Sequence, residues 1–317
     1  MSNQFAANAQ PAEVGTMKKS KNSIQARIME RTLRLTMRPL MSPKVPLGVQ
    51  RFATSLLRFS PRPGNVNLEP YAVPGLVGEK HTPDSLANSQ YAILYFHGGG
   101  YVMGSPASHR NLGARIAAAA QLPVYMASYR LAPEHSYPSQ LEDAERAFLA
   151  LMGQGYKPDH ILIGGDSAGG NLTLALALHL RETGVGMPAG LILISPWTDA
   201  TFTQVPNPNN DALLPLDWAE DSRPRFASDA QLTDPKVSPA LADFAGFPPT
   251  LVQSASVELL ANDAARLVEA MTKAGVDVQW QEDQGLWHDY QLNAGTVPEA
   301  TDAVRRIGVF AKSLYSA

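Results

Sequence analysis

The chain of 317 residues contains no cysteine. Disulfide bonds, thiolate nucleophiles and cysteine-ligated metal sites are therefore excluded, and the absence gives no information on the redox compartment. Charged residues are also scarce, at 17 % against 44 % hydrophobic residues, whereas soluble domains carry roughly 25 % charged residues. The chain therefore has enough apolar surface for a sizeable core and does not have the composition of a disordered protein.

A basic excess and long apolar runs are missing as well. The formal net charge is −3 and the isoelectric point is about 6.2. A nucleic-acid-binding face usually shows as a basic excess, so we expect no nucleic-acid partner. No stretch approaches the roughly 18 uninterrupted apolar residues of a membrane span, and the first residues, MSNQFAANAQPAEVG, lack the layout of a signal peptide. We expect no membrane span and a cytoplasmic location.

Positive charge is concentrated near the N-terminus. Residues 18–38 contain seven basic residues and one acid, Glu30. If they form a helix, its two adjoining apolar faces consist of Ile24, Ile28 and Leu35 and of Met29, Leu33 and Met37. Such a helix has two interpretations: it meets a membrane surface, or it packs on the main body with its charges in solvent. Pro39 and Pro43 end the pattern.

Short apolar runs alternate with helical segments from about residue 69. The runs predicted to form strands are Tyr91–Phe96, Pro123–Ser128, His160–Ile163, Leu191–Ser195 and Thr250–Ser254. The segments predicted to form helices are Arg110–Ala120, Leu141–Met152 and Asn171–Arg181. The runs are continuously apolar, as in strands covered on both faces, which predicts an α/β fold with a mostly parallel sheet. Residues 198–240 interrupt this rhythm, and so long an insertion is more often a functional lid than a passive loop.

The sequence Gly165-Asp166-Ser167-Ala168-Gly169 carries the strongest chemical signal. It matches G-x-S-x-G and lies between an apolar strand and an apparent helix, which is the context of a nucleophilic serine. The turn that exposes such a serine crowds the backbone, so only glycine fits on either side. Ser167 then begins a helix whose N–H groups favour developing negative charge. A phosphate-binding loop is excluded because no Lys-Ser/Thr pair follows Gly169.

Three glycines follow the first apolar run, in the order His97-Gly98-Gly99-Gly100. Glycines let the backbone approach a ligand and aim N–H groups at it, as an oxyanion hole requires, and the residue after the nucleophile supplies a further donor. We therefore assign the donors to Gly98, Gly99 and Ala168. His97 is expected to hold this loop rather than to act as the base.

A nucleophilic serine needs a base, and the order serine, acid, histidine leaves His179 and His288. His179 lies on the helix that follows Ser167, roughly 18 Å away at 1.5 Å per residue, so we assign the base to His288. The acid should follow a strand between serine and base. Three carboxylates meet that condition: Asp199, Glu258 and Asp283.

Several motifs together resemble a known family. They are HGGGYVMGS at 97–105, YRLAPEH at 129–135, GDSAGGN at 165–171 and SPW at 195–197. They are similar to the bacterial hormone-sensitive-lipase-like (family IV) esterases of the GDSAG subgroup, from about residue 70 to the C-terminus. The resemblance implies the α/β-hydrolase fold, a Ser–Asp/Glu–His triad and hydrolysis of short-chain carboxylic esters without a cofactor. We assign no metal.

The resemblance also implies a helical cap. Its N-terminal segment is expected at 1–50 and its second segment at about 198–240, inserted in a catalytic domain of residues 51–317. The family's acid position falls on Glu258, although the commonest pattern has aspartate there and a second aspartate where this chain has Asn262. Members of the family can pair as homodimers through an edge strand, so the resemblance leaves a homodimer open for this chain, and its sequence does not identify the oligomeric state.

Five residues close in sequence to the predicted catalytic groups are candidates for lining the substrate pocket: Tyr101, Met103, Trp197, Leu259 and Trp287. The alternative for each is ordinary packing near a strand end. The sequence thus predicts a serine carboxylesterase that acts on a small-molecule ester through an acyl-enzyme. Two other functions stay open: an amidase or lactonase with the same triad, and a non-catalytic receptor for a small ligand. The receptor of this fold lacks the base that His288 supplies here.

Overall fold

The structure, a computed structural model, describes residues 22–205 and 209–315. The strands within these ranges are β1 (Val66–Val73), β2 (Leu76–Pro83), β3 (Ala92–Phe96), β4 (Val124–Ala127), β5 (Ile161–Asp166), β6 (Gly190–Ile194), β7 (Thr250–Ala255) and β8 (Val278–Asp283). They form one sheet in the order β1-β2-β4-β3-β5-β6-β7-β8. The pairs β1–β2 and β2–β4 are antiparallel and the others are parallel.

Helices cover both faces of this sheet. In the described ranges they are α1 (Ile24–Leu35), α2 (Met37–Leu40), α3 (Leu47–Ser55), α4 (Arg110–Ala120), α5 (Ser139–Gly153), α6 (Ala168–Thr183), α7 (Leu216–Phe226), α8 (Ala261–Lys273) and α9 (Pro298–Tyr315). Short 3-10 turns occur at Leu56–Phe59, Pro158–His160, Asp229–Gln231, Pro239–Leu241 and Tyr290–Asn293. The predicted α/β architecture is confirmed.

The central strands explain why their sequences are continuously apolar. Every residue of β3 is buried, and alternate side chains enter different cores. Leu94 and Phe96 pack with side chains of α5 and α6, whereas Ile93 and Tyr95 pack with side chains of α4 and α9. A strand with two buried faces has no polar positions to alternate. The sequence did not predict β1 and β2, because these strands at one side of the sheet are only partly buried.

The N-terminal helix α1 packs on the end of the chain. Ser23 caps it: its Oγ accepts a hydrogen bond from the Ala26 N–H at 3.0 Å and donates one to Glu299 of α9 at 2.8 Å. Met29 and Leu33 face the core that contains α9. The opposite face is exposed and carries three large apolar side chains: Ile24, Ile28 and Leu35. The predicted helix start near Lys18 lies outside the described residues.

The segment predicted as an insertion contains α7 and contacts the N-terminal helices. The indole N–H of Trp218 on α7 donates a buried hydrogen bond of 2.6 Å to Oε1 of Gln50 on α3. The Arg34 guanidinium on α1 donates to the backbone carbonyl of Asn210 at 2.5 Å. The two segments are thus joined directly, although they are far apart in sequence. In the described ranges no helix has the length and hydropathy needed to cross a membrane.

Candidate active site

Ser167 stands at the turn from β5 into α6 with a strained backbone, at φ 52° and ψ −117°. The two glycines of the motif are required by close packing. A Cβ on Gly165 would lie 2.3 Å from the backbone of Gly169, and one on Gly169 would lie 2.1 Å from the carbonyl oxygen of Phe96. A non-glycine residue with positive φ is costly and is retained mainly at functional turns. This geometry is that of a nucleophile elbow.

The carboxyl ends of four neighbouring parallel strands supply the polar groups of the site. Ser167 follows β5, Ser195 follows β6, Glu258 follows β7 and His288 follows β8. Parallel strands present their carboxyl ends at one edge, so side chains far apart in sequence meet there. The structure therefore brings together the serine, acid and histidine predicted from the sequence.

Glu258 is the carboxylate that lies beside Nδ1 of His288. Its Oε2 is 3.6 Å from that nitrogen and accepts a hydrogen bond of 2.5 Å from the Ser195 hydroxyl. Both Glu258 and His288 are buried. Burial raises the pKa of Glu258, and the hydrogen bonds and charge of His288 oppose that rise. Catalytic hydrogen bonds are often long in the absence of substrate and tighten in the transition state.

The other two candidate acids lie elsewhere. Asp199 forms an ion pair with Arg266, in which Oδ2 is 2.8 Å from the guanidinium, and it also accepts hydrogen bonds from Thr201. Asp283 accepts hydrogen bonds from the hydroxyl of Tyr290 and the guanidinium of Arg306. Of the three candidate acids, Glu258 is therefore the one that lies beside His288, and Asp199 and Asp283 bind other partners.

A second carboxylate, which the sequence analysis missed, contacts the other nitrogen of His288. Oδ2 of Asp289 lies 3.2 Å from Nε2 of His288. Asp289 has a positive φ of 53°, a conformation that aspartate adopts more readily than most residues. Burial lowers the pKa of His288, but Asp289 and Glu258 outweigh it and raise that pKa well above its usual range. Burial also raises the pKa of Asp289 to about 7.

Asp211 is a further residue that sequence reasoning missed, and it belongs to the segment predicted as an insertion, residues 198–240. It is fully buried and holds the backbones of both catalytic loops. Its Oδ2 accepts from the Leu259 N–H at 2.9 Å, next to Glu258, and its Oδ1 accepts from the His288 N–H at 3.3 Å. The same Oδ1 accepts from the Leu213 N–H at 2.9 Å. One side chain therefore ties the insertion to the acid and the base.

The assignment of Gly98 to the oxyanion hole is wrong. Its N–H already donates a buried hydrogen bond of 2.9 Å to Oδ2 of Asp166, so it is not available to a substrate oxygen. In the part of the chain that the structure describes, the N–H groups of Gly99, Gly100 and Ala168 make no hydrogen bond with protein. Ala168 is the first residue of α6, where N–H groups have no partner within the helix.

Asp166 holds the glycine loop, residues 97–100, in place. Besides the Gly98 N–H, its carboxylate accepts from the Tyr95 hydroxyl at 2.9 Å and contacts Nε2 of His109 at 3.2 Å. Burial would raise the pKa of Asp166, but the charge and hydrogen bond of His109 lower it overall. Burial and His109 lower the pKa of His97 to about 3, so that ring is neutral and holds the loop through Gly98.

A cavity of about 90 Å³ borders Ser167. Its polar wall contains Ser108, His109, Asp166, Ser167, His288 and Asp289. Its apolar wall contains Met37, Met41, Leu57, Met103, Leu213, Leu214, Trp218 and Leu292. In the described part of the chain, no group of three His, Asp or Glu side chains is arranged to hold a metal ion. The cavity thus offers an apolar surface beside a serine, an imidazole and buried carboxylates.

Of the five predicted pocket residues, Met103 lines this cavity. The other four, Tyr101, Trp197, Leu259 and Trp287, are not among the described residues that line it. Tyr101 stacks on Phe226 with ring centroids 3.9 Å apart and donates to Asn171 at 2.7 Å. The Trp197 indole donates its N–H to a backbone carbonyl at 3.0 Å. These side chains pack near strand ends, and no local signal identified the true lining because it comes from separate stretches of chain.

Comparisons with known proteins agree with this geometry. Residues 93–292 match the family model described as an alpha/beta hydrolase fold. An esterase of Acinetobacter venetianus is 37 % identical over 290 residues, covering 90 % of this chain and 95 % of the relative. The crystal structure of an esterase from the bacterial hormone-sensitive lipase family has a TM-score of 0.86 and 32 % identity, covering 93 % of this chain and 99 % of that one.

A further crystal structure is that of EstE5 soaked with p-nitrophenyl butyrate. It has a TM-score of 0.86 and 33 % identity, and it covers 93 % of this chain and all of that one. The fold and the site define an α/β-hydrolase. Within that class, the chain belongs to the hormone-sensitive-lipase-like esterases.

Proposed function

We propose that this carboxylesterase hydrolyses short-chain carboxylic esters with Ser167 as nucleophile, His288 as base and Glu258 as the acid that orients the base. The observation that carries the proposal is the strained elbow that places Ser167 in one cavity with His288. Strain of this kind is retained where a side chain has to be presented to a ligand.

In the first step, Nε2 of His288 takes the Ser167 hydroxyl proton as Oγ attacks the ester carbonyl carbon. The carbonyl oxygen becomes an oxyanion held by the N–H groups of Gly99, Gly100 and Ala168. Each such donor contributes about 2.7–4 kcal/mol to transition-state stabilisation. Glu258 stabilises the imidazolium at Nδ1. The present distance of 3.6 Å between Nδ1 of His288 and Oε2 of Glu258 shortens as this interaction strengthens.

In the second step, His288 gives its proton to the departing alcohol and leaves an acyl-enzyme on Ser167. A water molecule then gives a proton to His288 and attacks the acyl carbon. His288 returns that proton to Oγ of Ser167 as the bond between Oγ and the acyl carbon breaks, and the acid leaves. These steps require a neutral imidazole at the start. Asp289 opposes that state because its contact with Nε2 favours the protonated ring.

The acyl-chain preference follows from the enclosure of the cavity. Met37, Met41 and Leu57 from the N-terminal segment and Trp218 from the insertion line it together. We infer that the two segments act as a cap. Since the acyl and alcohol groups share a cavity of about 90 Å³, we expect a small ester to fill it. The homodimer and the cytoplasmic location stay predictions.

Hydrolysis of p-nitrophenyl esters from acetate to palmitate tests the proposal, with Ser167→Ala measured in parallel. We expect a maximum at short chains and a loss of about 10⁴-fold or more in Ser167→Ala. The matched anilide, p-nitrobutyranilide, should be turned over far more slowly. Faster turnover of the anilide would favour the amidase, and no turnover of any ester by the folded wild type would contradict the proposal.

A further inference from the structure

The N-terminal helices have an outward face that the catalytic chemistry does not use. On α1 it carries Ile24, Ile28 and Leu35. Further along the chain, Phe52 of α3 and Leu56 and Phe59 of the following 3-10 turn are exposed as well. Five of these side chains are between 61 and 79 % exposed, and Leu56 is 48 % exposed. Large apolar side chains gathered in one segment of a surface mark an interaction site. These six residues are called the apolar face below.

Arginines accompany the apolar face. Helical spacing places Arg27 and Arg31 beside the stripe of Ile24, Ile28 and Leu35, and both arginines are exposed. In the described part of the chain, neither forms an ion pair. The outward side of α1 therefore combines exposed apolar side chains with unneutralised positive charge.

The charge of the whole segment is opposite to that of the rest of the chain. Residues 18–62 contain eleven basic residues and one acid, Glu30, which is paired with Arg34. Of the 26 basic and 29 acidic residues in the sequence, the remainder thus holds 15 basic and 28 acidic ones. A positive segment on a negative body orients the molecule in the field of an anionic surface.

The apolar face continues into the catalytic cavity. Leu57 is 37 % exposed, lines that cavity and directly follows Leu56 of the apolar face in the chain. Met37 follows α1 by two residues and lines the same cavity. A surface that docks on these helices therefore borders the cavity entrance.

We propose that the apolar face and its arginines dock the protein on an anionic phospholipid membrane. Apolar side chains enter the boundary between headgroups and acyl chains, while arginines remain at the headgroups. A second copy in two-fold contact would bring Arg27 and Arg31 of both molecules together, and like charges oppose that contact. Docking of this kind requires none of the chemistry proposed for Ser167, His288 and Glu258.

Flotation of the Ser167→Ala protein with vesicles measures membrane binding without ester hydrolysis. The vesicles are phosphatidylcholine with or without roughly a quarter phosphatidylglycerol, and we expect at least about tenfold stronger partition onto the anionic ones. Raising NaCl to about 1 M, where the Debye length is about 3 Å, should remove that difference. Equal partition onto both vesicles, or onto neither, would overturn the proposal.

Two double variants locate the contact. Arg27→Gln/Arg31→Gln should weaken partition about 30-fold, since each basic residue near the surface is worth about fivefold. Ile28→Ser/Leu35→Ser should weaken it about tenfold. All four positions are exposed, so the unfolding temperature should be unchanged.

The control variants change exposed apolar and basic residues elsewhere on the surface. They are Val77→Ser/Val309→Ser, at exposed positions of β2 and α9, and Arg305→Gln/Lys312→Gln on α9. Partition should be the same as for Ser167→Ala. Controls that weaken binding as much as the α1 variants would overturn the proposal. So would sedimentation showing a dimer that Ile28→Ser/Leu35→Ser dissociates, because the face would then hold a second copy.

Discussion

The floor of the cavity and its roof are built in different ways. On the floor, Glu258, His288 and Asp289 are buried, and their backbones or carboxylates are held by Ser195 and Asp211. The roof is formed by side chains of α2, α3 and the turn after it, and by Trp218 of α7. Arg51 of α3 binds the body through hydrogen bonds to the Glu134 carboxylate and to two backbone carbonyls. We therefore expect displacement of the floor to lower the rate, and changes of roof side chains to leave the chemistry intact.

This difference separates two properties of the enzyme. The buried charged groups of the floor determine how the proton moves between Ser167 and His288. Each is held by hydrogen bonds, because a buried charge without a partner costs free energy. Apolar side chains on helices set which substrates fit, because their contacts depend on shape alone. Asp211 is the exception, since it belongs to the insertion and yet holds the floor. Variants of each region should therefore change different measured quantities.

The largest effect is expected for Glu258→Gln on the floor. The amide keeps the shape but no longer stabilises the imidazolium, and the analogous change in serine proteases lowers kcat about 10⁴-fold. Steady-state hydrolysis of p-nitrophenyl acetate measures it. Asp283→Asn is the matched control, because Asp283 pairs with Arg306 and not with His288. Equal losses in both variants would show that Glu258 is not the acid.

Asp211→Asn tests whether the insertion holds the floor. The amide presents N–H groups to backbone donors that the carboxylate now accepts from, so both catalytic loops should shift. Displacements near 1 Å cost about 10²-fold in rate, and the lost hydrogen bonds cost about 2 kcal/mol of unfolding free energy. Glu220→Gln, at an exposed position on α7, should change neither. If Asp211→Asn keeps the wild-type kcat, the insertion does not hold the catalytic loops and only shapes the cavity.

Much of the floor could be predicted because its signals are local. The elbow glycines and the strand before them identify Ser167, and chain order identifies His288. Asp211 could not be predicted, since its partners are backbone N–H groups 48 and 77 residues away. Gly98 was misassigned because three successive glycines look alike until Asp166 is seen to hold the first. The central strands were predicted by burial on both faces, whereas the partly buried β1 and β2 were not.

Asp289→Asn tests, within the floor, whether the Asp289 carboxylate controls the pH dependence of kcat/KM. The Asp289 carboxylate favours protonated His288, so its removal lowers the pKa of His288. The neutral base then persists to lower pH, and the acidic limb of the kcat/KM profile should move to lower pH. The rate on the plateau should change less than about tenfold, since the transfer between Ser167 and His288 is unaltered. An unmoved acidic limb would mean that Asp289 does not control this titration.

The smallest effect is expected on the roof, for Trp218→Phe. This change removes the buried 2.6 Å hydrogen bond to Gln50 and costs about 1 kcal/mol of unfolding free energy. It also enlarges the cavity beside the glycine loop, so the ratio of hexanoate to acetate hydrolysis should rise a few-fold while Ser167 chemistry is retained. Trp197→Phe is the matched control: its indole N–H is also hydrogen bonded, but it does not line the cavity. That variant should lose similar stability with the acyl-chain profile unchanged. If both variants shift the profile alike, the roof does not determine chain length and the two regions of the cavity are not separable in this way.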